Sequence, residues 1–332
     1  MMRVLLSASS MIDPDAYRER LSNALAEPVE IEVARLGSTE RLIEAGTGFE
    51  DGAGFDAVVV DVDTPVTAEA VDALGDELAV VVRAAVGVDD VDVAAAADAG
   101  VTVTRVPEYC TDEVATHSLS LLLACLRSVT EYDDAVADGR WTWEDGRPIR
   151  RMSGSTIGLL SFGPIARRAA EQLSGFGAEL VAYDPFVDGD RMDERGVEKV
   201  GFEALFDRSD HVAVYAPLTA STRGIVDADA LSRLSAHSVV VNVGRGPVID
   251  ADALVEALES GAIKAAGLDV LAEEPPVDDP LVGRDDTVVT PHAAWYSEDA
   301  REELNRSAAA DVAAVLTGEV PDGRVDPNAD WL

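Results

Sequence analysis

Short apolar runs alternate with amphipathic stretches along the first hundred residues. The runs are rich in valine, as in "RVLLSA", "VEIEVA", "DAVVVD" and "LAVVVRAA", and the stretches at 15–26, 38–45 and 67–74 have helical length and spacing. Continuous Val-rich strands separated by helices are typical of a parallel sheet that is covered on both faces. The pattern therefore predicts an α/β domain in this part of the chain.

A second alternating series begins at "STIGLLSF". Its apolar runs continue through 179–183, 212–216, 239–242, 265–270 and 287–290. Two such series predict the fold class, which is α/β with two doubly wound parallel-sheet domains.

Two helical patterns lie outside these series. Residues 108–137 have helical spacing and a start between Thr111 and Val114, which predicts one long helix that connects the domains. Residues 297–316 follow Ser297, the expected N-cap, with acidic residues just inside. We expect this helix to pack on the first domain, because no new sheet follows it.

Length and composition limit the class of protein. A chain of 332 residues suits two domains, and no apolar run approaches the roughly 20 residues that cross a bilayer. "VLLSAS" is shorter than the apolar region of a signal peptide, so we expect a cytoplasmic protein with no membrane partner. Cys110 and Cys125 are far apart, which predicts free, buried thiols and no zinc site.

The charge is strongly acidic. The chain has 63 acidic and 26 basic residues, a net charge of −37, and only two lysines, Lys199 and Lys264. Such a surface repels nucleic acid and itself, and molar salt removes most of that repulsion by shortening the screening length to about 3 Å. The acids are scattered among apolar segments, so the composition is that of a folded halophilic protein and not of a disordered one.

The stretch "TIGLLSFGPIARRAA" predicts a strand that turns into a helix. Gly163 would allow close approach of a phosphate to the backbone, and Ala166 is small enough to pack the helix on the strand. Ser161 stands at the first glycine position of G-x-G-x-x-G. A serine fits there if its φ is negative. Pro164 is acceptable in a first helical turn. Alone, the motif could be an ordinary strand-turn-helix.

Asp184 strengthens the nucleotide hypothesis. It lies 21 residues after Gly163 at the end of the next apolar run, where an acid binds the ribose hydroxyls of NAD. A carboxylate there repels a 2′-phosphate, so NAD is favoured over NADP. The alternative is that "DP" only ends a strand.

Charged residues also follow later apolar runs. Of the four histidines, His117, His211 and His237 are expected to be packed or solvated, whereas His292 follows "VVTP" at a strand end. Open α/β sheets bind ligands at that edge, and other charged side chains follow neighbouring strands: Arg245, Asp269 and Glu274. The set predicts a converging polar site.

The segments "NVGRG", "GLDVLAEEPP" and "TPHAAW" resemble the signatures of the D-isomer-specific 2-hydroxyacid dehydrogenases. "GVDDVDVAAAADAGVTVTRVPEYCTDEVATHSLSLLL" is similar to the segment that leads into that family's cofactor domain. "YCTDEVA" and "HAAWYSE" resemble the branch that contains C-terminal-binding proteins, which are transcriptional corepressors, and the phosphoglycerate dehydrogenase-like enzymes. The resemblance implies a Rossmann-type NAD domain at 106–293, inserted into a flavodoxin-like substrate domain formed by 1–105 and 294–332.

The resemblance also implies a catalytic set. Arg245 would bind the carboxylate and carbonyl of a 2-keto acid, and His292 would protonate the keto oxygen as hydride arrives. Glu274 would hydrogen-bond the imidazole and favour its charged form. The backbone of Val86 and Gly87 would bind the substrate carboxylate.

Further contacts are implied in the same way. Asp269 would hold the nicotinamide carboxamide, and the other implied cofactor contacts are Ser161, Gly163, Pro164, Ile165, Asp184, Ala216, Pro217, Thr222, Val243, Gly244 and Ala294. Ser161, Ala166, Pro164 and Ala85 depart from the residues most common in the family, which affects cofactor affinity and pocket shape. Trp295 would wall the substrate pocket or, alternatively, pack between the domains.

The expected function is an NAD-dependent reductase or dehydrogenase of small D-2-hydroxy acids, of the glyoxylate, hydroxypyruvate or phosphoglycerate type. The rival hypothesis is an NAD-sensing, corepressor-like scaffold with the same fold. A homodimer is implied by the resemblance alone, and no metal is expected.

Overall fold

The computed structural model describes residues 1–26, 28–47, 54–146 and 148–329. Residues 27, 48–53, 147 and 330–332 belong to the predicted domain segments but lie outside the described ranges. The chain divides into two compact units, Met1–Tyr109 with Ser297–Leu332, and Cys110–Tyr296. The boundaries differ by a few residues from the predicted 105 and 293, and the roles of the two units stay predictions.

The first unit contains a five-stranded parallel sheet with the strand order β2-β1-β3-β4-β5. Its strands are β1 (Met2–Ser7), β2 (Val29–Ala34), β3 (Ala57–Val60), β4 (Val80–Arg83) and β5 (Thr102–Arg105). Its helices are α1 (Pro14–Ala24), α2 (Thr39–Thr47), α3 (Ala68–Leu74), α4 (Val93–Asp98) and the later α12 (Glu298–Leu316). The order is that of flavodoxin-like sheets.

The valine runs form the core of this sheet. All four residues of β3 and all four of β4 are buried, because helices cover both faces. The α12 helix packs against α1 and beside β4 and β5, as expected. Ser297 caps it, since the Ser297 hydroxyl accepts a hydrogen bond of 2.9 Å from the Ala300 amide.

The second unit contains a seven-stranded parallel sheet with the order β12-β11-β10-β9-β6-β7-β8. Its strands are β6 (Thr156–Leu160), β7 (Glu179–Tyr183), β8 (Val197–Lys199), β9 (His211–Val214), β10 (Val239–Asn242), β11 (Ala265–Leu268) and β12 (Thr287–Val289). Its helices are α5 (Thr111–Arg127), α6 (Val129–Ala137), α7 (Pro164–Leu173), α8 (Gly189–Asp193), α9 (Phe202–Arg208), α10 (Ala228–Ser232) and α11 (Ala251–Glu259).

This order is that of a Rossmann sheet with an additional edge strand, and it reverses between β6 and β9. In open parallel sheets, ligands bind outside the carboxyl ends of strands at such a reversal. The predicted fold class, with two doubly wound parallel sheets, is confirmed.

The prediction of one long helix over 108–137 is wrong. Ser128 has a φ of 52°, a left-handed conformation that ends α5 and lets α6 start in a new direction. The end of α5 is fixed by Lys264, whose Nζ donates to the Cys125 carbonyl at 2.9 Å and to the Ser128 hydroxyl at 3.0 Å. A cation at a helix carboxyl end satisfies carbonyls that have no partner within the helix.

Both cysteines are free and buried, as predicted. Over the described ranges, none of the helices combines the length and apolar character that a membrane span requires.

Candidate active site

Three neighbouring strands bring their carboxyl ends to one edge of the second sheet. The strands β10, β11 and β12 are adjacent and parallel, so the segments that follow them emerge side by side. Arg245 follows β10, Asp269 and Glu274 follow β11, and His292 follows β12. The sheet therefore gathers residues that lie up to 47 positions apart in the chain.

His292 and Glu274 form the most direct contact in this group. The imidazole Nδ1 lies 2.7 Å from Glu274 Oε2, and the two side chains are 38% and 37% exposed, so a small molecule can reach them. Because a carboxylate accepts, Nδ1–H is the donor, and Nε2 has no partner among the described residues. The arrangement fixes the imidazole and leaves one nitrogen for proton exchange with a ligand.

Glu274 is held in its charged form. Burial by itself raises the pKa of this carboxyl, but the His292 hydrogen bond and charge, the Leu271 amide and the Arg245 charge together lower it below its ordinary value. The Leu271 amide donates to Glu274 Oε1 at 2.9 Å. The Arg245 guanidinium therefore lies close enough to the pair to act on it electrostatically.

The two glycines of "NVGRG" explain how Arg245 is positioned. A Cβ on Gly244 would lie 2.6 Å from the Ala216 carbonyl oxygen, and one on Gly246 would lie 1.9 Å from the Leu271 carbonyl oxygen. Only glycine allows the loop after β10 to approach the loops after β9 and β11 so closely. Arg245 itself is half-buried, and its guanidinium donates to the Gly244 carbonyl at 2.9 Å.

Asp269 organises the loop that carries His292. It is 2% exposed, and its carboxylate accepts hydrogen bonds from Thr290 Oγ1 at 2.6 Å and from the amides of Ala293 and Ala294 at 2.9 and 3.0 Å. His292 has a φ of 51°, and its own amide donates to the Asp269 carbonyl at 2.8 Å. Strained backbone of this kind persists where the surroundings hold it, and Asp269 supplies that support.

His117 supports this loop, a role that its sequence context does not indicate. Its Nε2 lies 2.9 Å from Thr290 Oγ1 and 3.5 Å from Asp269 Oδ1, which extends the support from α5 to the His292 loop. The α5 helix can approach because a Cβ on Gly267 of β11 would lie only 2.9 Å from Leu121 Cβ. Nothing in the local sequence indicates this contact, since 173 positions separate His117 from Thr290.

The turn after β6 differs in one respect from the expectation. Ser161 was expected to have a negative φ, and this expectation is wrong, because its φ is 79°. The serine occupies the left-handed conformation that usually favours glycine. Its hydroxyl lies 3.3 Å from Asp184 Oδ2, which also accepts from the Phe162 amide at 2.8 Å. Asp184 thus helps to hold the serine in this conformation.

The turn fits a dinucleotide. A Cβ on Gly163 would meet nothing within 4 Å, and α7 begins there with Pro164 in its first turn and no side chain bonded to its first amides. Open space before a helix amino end suits a pyrophosphate. Asp184 is 7% exposed, and its Oδ1 accepts one bond, from the Phe186 amide at 2.9 Å, so this oxygen can accept a second bond from a ribose hydroxyl.

The other implied cofactor residues occupy the same edge of the sheet. Ala216 and Pro217 follow β9, Val243 and Gly244 follow β10, Ile165 lies in the first turn of α7, and Ala294 lies in the His292 loop. Thr222 closes the loop after β9, since its hydroxyl donates to the Pro217 carbonyl at 2.6 Å. In the part of the chain that the structure describes, no three His, Cys, Asp or Glu side chains are grouped to hold a metal ion.

The expected substrate contacts belong to both units. Val86 and Gly87 follow β4 in the first unit, and the Val86 carbonyl accepts a bond of 2.9 Å from Arg105. Trp295 follows the His292 loop in the second unit, half-buried, with its ring edge-on to Tyr296 at 5.4 Å. These contacts order both segments within their own units.

The comparisons with known proteins identify the family. The family model described as "D-isomer specific 2-hydroxyacid dehydrogenase, NAD binding domain" matches residues 119–294, within the second unit. The chain belongs to the D-isomer-specific 2-hydroxyacid dehydrogenase family. The sequence resemblance to this family is confirmed.

Curated relatives in this family differ in length. A D-3-phosphoglycerate dehydrogenase of Mycobacterium leprae is 37% identical over 268 residues, 80% of this chain and 50% of that protein. A glyoxylate reductase of Korarchaeum cryptofilum is 36% identical over 278 residues, 82% of each chain. The chain spans about half the length of the phosphoglycerate dehydrogenases that it matches.

Two solved structures have the same fold over nearly the whole chain. A glyoxylate reductase from Paecilomyes thermophila matches with a TM-score of 0.88 and 25% identity, over 99% of each chain. The TT0316 protein from Thermus thermophilus matches with a TM-score of 0.86 and 29% identity, over 98% of this chain.

Proposed function

We propose that the chain is an NAD-dependent D-2-hydroxyacid dehydrogenase that interconverts 2-keto and D-2-hydroxy acids. The observation that carries this proposal is the His292–Glu274 hydrogen bond of 2.7 Å beside Arg245, at the same sheet edge as the Gly163 turn. An acid-base pair, a carboxylate-binding cation and a nucleotide turn are the components that this reaction needs. Membership of the family supports the same conclusion.

Each side chain then has a defined task. The Arg245 guanidinium binds the carboxylate and orients the C2 carbonyl, because its planar fork matches two oxygens. His292 Nε2–H donates a proton to the C2 oxygen in reduction and removes it in oxidation. Glu274 stabilises the imidazolium through Nδ1, and exchange of hydride with C2 is the chemistry that a nicotinamide supplies when it is bound.

The cofactor is proposed to be NAD(H) in preference to NADP(H). The family match to an NAD-binding domain supports NAD in general, and the preference rests on Asp184. Its carboxylate offers acceptors to the ribose hydroxyls and repels a 2′-phosphate. Asp269 is proposed to hold the carboxamide of the nicotinamide, and the amides of Ala293 and Ala294, which donate to its carboxylate, fix its position.

The proposed substrates are small acids such as glyoxylate, hydroxypyruvate or 3-phosphoglycerate. The names of the curated relatives support this range. The backbone of Val86 and Gly87 in the first unit, the proposed substrate domain, would bind the carboxylate, and Trp295 would contact the substrate side chain. We further propose a homodimer in a salt-rich cytoplasm, on the family resemblance and the charge of −37.

The decisive experiment measures NADH and NADPH oxidation with a panel of 2-keto acids at molar KCl, for the wild type and His292→Ala. We expect turnover with NADH and a loss of about 10²- to 10⁴-fold in kcat for the variant. Tight NADH binding without turnover of any member would reject the enzyme and favour the corepressor-like scaffold. Equal rates for wild type and His292→Ala would reject the assigned role of the histidine.

A further inference from the structure

A cavity of about 380 Å³ opens at the opposite edge of the second sheet. It lies where β6, β9 and β10 begin, so the lengths of these strands separate it from the candidate active site. Its size falls at the lower end of the range for small-molecule sites. The whole cavity belongs to the second unit.

The walls of this cavity carry positive charge on a strongly acidic protein. Arg150 and Arg151, which are adjacent in the sequence, both line it, and both side chains are exposed. Several other arginines of this unit pair with carboxylates, as Arg208 does with Glu198 at 2.7 Å. Neither Arg150 nor Arg151 has a carboxylate partner within the described ranges, although the chain has 63 acidic residues.

His211 adds a buried donor. The side chain lines the cavity, is 2% exposed, and accepts the Val239 amide at Nδ1 over 3.2 Å. Nδ1 therefore carries no proton, so the neutral ring has its N–H at Nε2, which has no partner among the residues described. Burial lowers the pKa of His211 to about 4, which keeps the ring neutral at pH 7.

The one carboxylate in the wall is already engaged. Asp210 accepts the Thr156 amide at 2.9 Å and pairs with His237 Nε2 at 2.9 Å. The Ser155 hydroxyl donates to the Met152 carbonyl at 2.6 Å, whereas the Ser153 hydroxyl has no partner in the described part of the chain. The uncommitted groups of the cavity are therefore mainly donors and cations.

We propose that this cavity binds the phosphate group of a small phosphorylated metabolite. Two guanidiniums and a neutral imidazole N–H match the acceptor oxygens and double charge of a phosphomonoester. The volume leaves room for an organic group beyond the phosphate. This site is separate from the cofactor turn and does not depend on the proposed reaction.

The test is calorimetric titration of the NADH-saturated protein with inorganic phosphate and with glucose 6-phosphate, at constant KCl. Saturation with NADH fills the other phosphate site of the chain. We expect 1:1 binding of at least one probe, weakened at least tenfold in the double variant Arg150→Gln/Arg151→Gln. Since both arginines are exposed, the variant should fold, and circular dichroism checks this.

A matched control removes two exposed arginines from the first unit, Arg20→Gln/Arg41→Gln, and changes the net charge equally. This pair should retain the affinity of the wild type within twofold. The proposal is overturned if neither probe gives a saturable isotherm, if both double variants lose affinity equally, or if glucose binds as well as its phosphate.

Discussion

The single contact on which the chemistry depends most is the bond between His292 and Glu274. Both side chains are partly exposed, so the carboxylate acts on the imidazole while solvent can still reach the pair. Removing the charge while keeping an oxygen acceptor isolates its effect. Glu274→Gln does this for the bond to His292, because its amide oxygen can still accept from Nδ1, while its NH2 group takes the place of the oxygen that accepts from Leu271.

For Glu274→Gln we expect kcat for keto acid reduction to fall about 10- to 100-fold. The imidazolium loses its partner charge, so the loss of rate should be greater on the alkaline side of the pH profile. The measurement is the pH profile of kcat/KM. Glu273→Gln, one residue earlier and exposed, should leave the profile unchanged, and an identical change in both variants would contradict the assignment.

The buried His211 makes the free energy of unfolding depend on pH. Burial lowers its pKa from 6.5 to about 4, so the unfolded chain takes up the proton first as the pH falls. The neutral His211 ring contributes roughly 3 kcal/mol to the free energy of unfolding. This contribution is fully present above pH 6.5 and is lost as the pH falls toward 4. His211→Asn, which keeps an acceptor for the Val239 amide, should flatten this part of the curve.

Urea denaturation between pH 6.5 and 4.5 measures the effect. His237→Asn is the control, because it removes a neighbouring imidazole that is less buried. If the stability of the wild type and of His211→Asn changed equally with pH, the buried ring would not contribute to the pH dependence of stability.

Among the secondary-structure elements, the strongly apolar strands were easier to predict from the sequence than the short, partly polar ones. The run at 239–242 coincides with β10, whose continuous valines are buried on both faces of a parallel sheet. The run at 29–34, in which glutamates alternate with apolar residues, coincides with the edge strand β2, none of whose residues is fully buried. The strands β5 and β8 were missed, since "TVTR" and "VEK" are short and partly polar. Each of them pairs with the strand that precedes it in the chain, β4 and β7 respectively.

Backbone conformations were the hardest feature to predict. Ser128 and Ser161 have positive φ values without the glycine that usually indicates them. Both are held by tertiary contacts, Ser128 by Lys264 and Ser161 by Asp184. The charged members of the candidate site were predicted from strand ends alone, whereas the support from His117 requires the packing of α5 on β11 and β12.

The cap on α5 provides a test at this scale. Lys264→Met removes a cation that donates to the Cys125 carbonyl and the Ser128 hydroxyl while keeping an apolar side chain of similar length. We expect a loss of about 1–3 kcal/mol in the free energy of unfolding, because buried acceptors lose their donor. Thermal or urea denaturation measures it.

Arg127→Met is the matched control, since Arg127 lies in the last turn of the same helix and is exposed. Its loss should change stability by less than about 0.5 kcal/mol. Equal losses in the two variants would indicate that the helix dipole, and not the specific hydrogen bonds, is responsible.

For the whole molecule, the dominant property is the charge of −37 spread over a folded surface. Repulsion among these carboxylates opposes the compact state, and molar salt screens it. We therefore expect the urea midpoint to rise by at least about 1 M between 0.2 and 3 M KCl.

Sucrose at matched osmolality is the control, because it favours compact states without screening charge. If sucrose reproduced the full effect of KCl, or if KCl had none, charge repulsion would not limit stability.

The division of the chain has a consequence for its synthesis. The Cys110–Tyr296 unit is continuous, so its seven strands are all available before the ribosome adds Ser297. The other unit combines Met1–Tyr109 with Ser297–Leu332 and has α12 against α1, so it lacks one of its helices until α12 emerges. During translation the Cys110–Tyr296 unit is therefore complete in sequence before the Met1–Tyr109 segment can pack against α12.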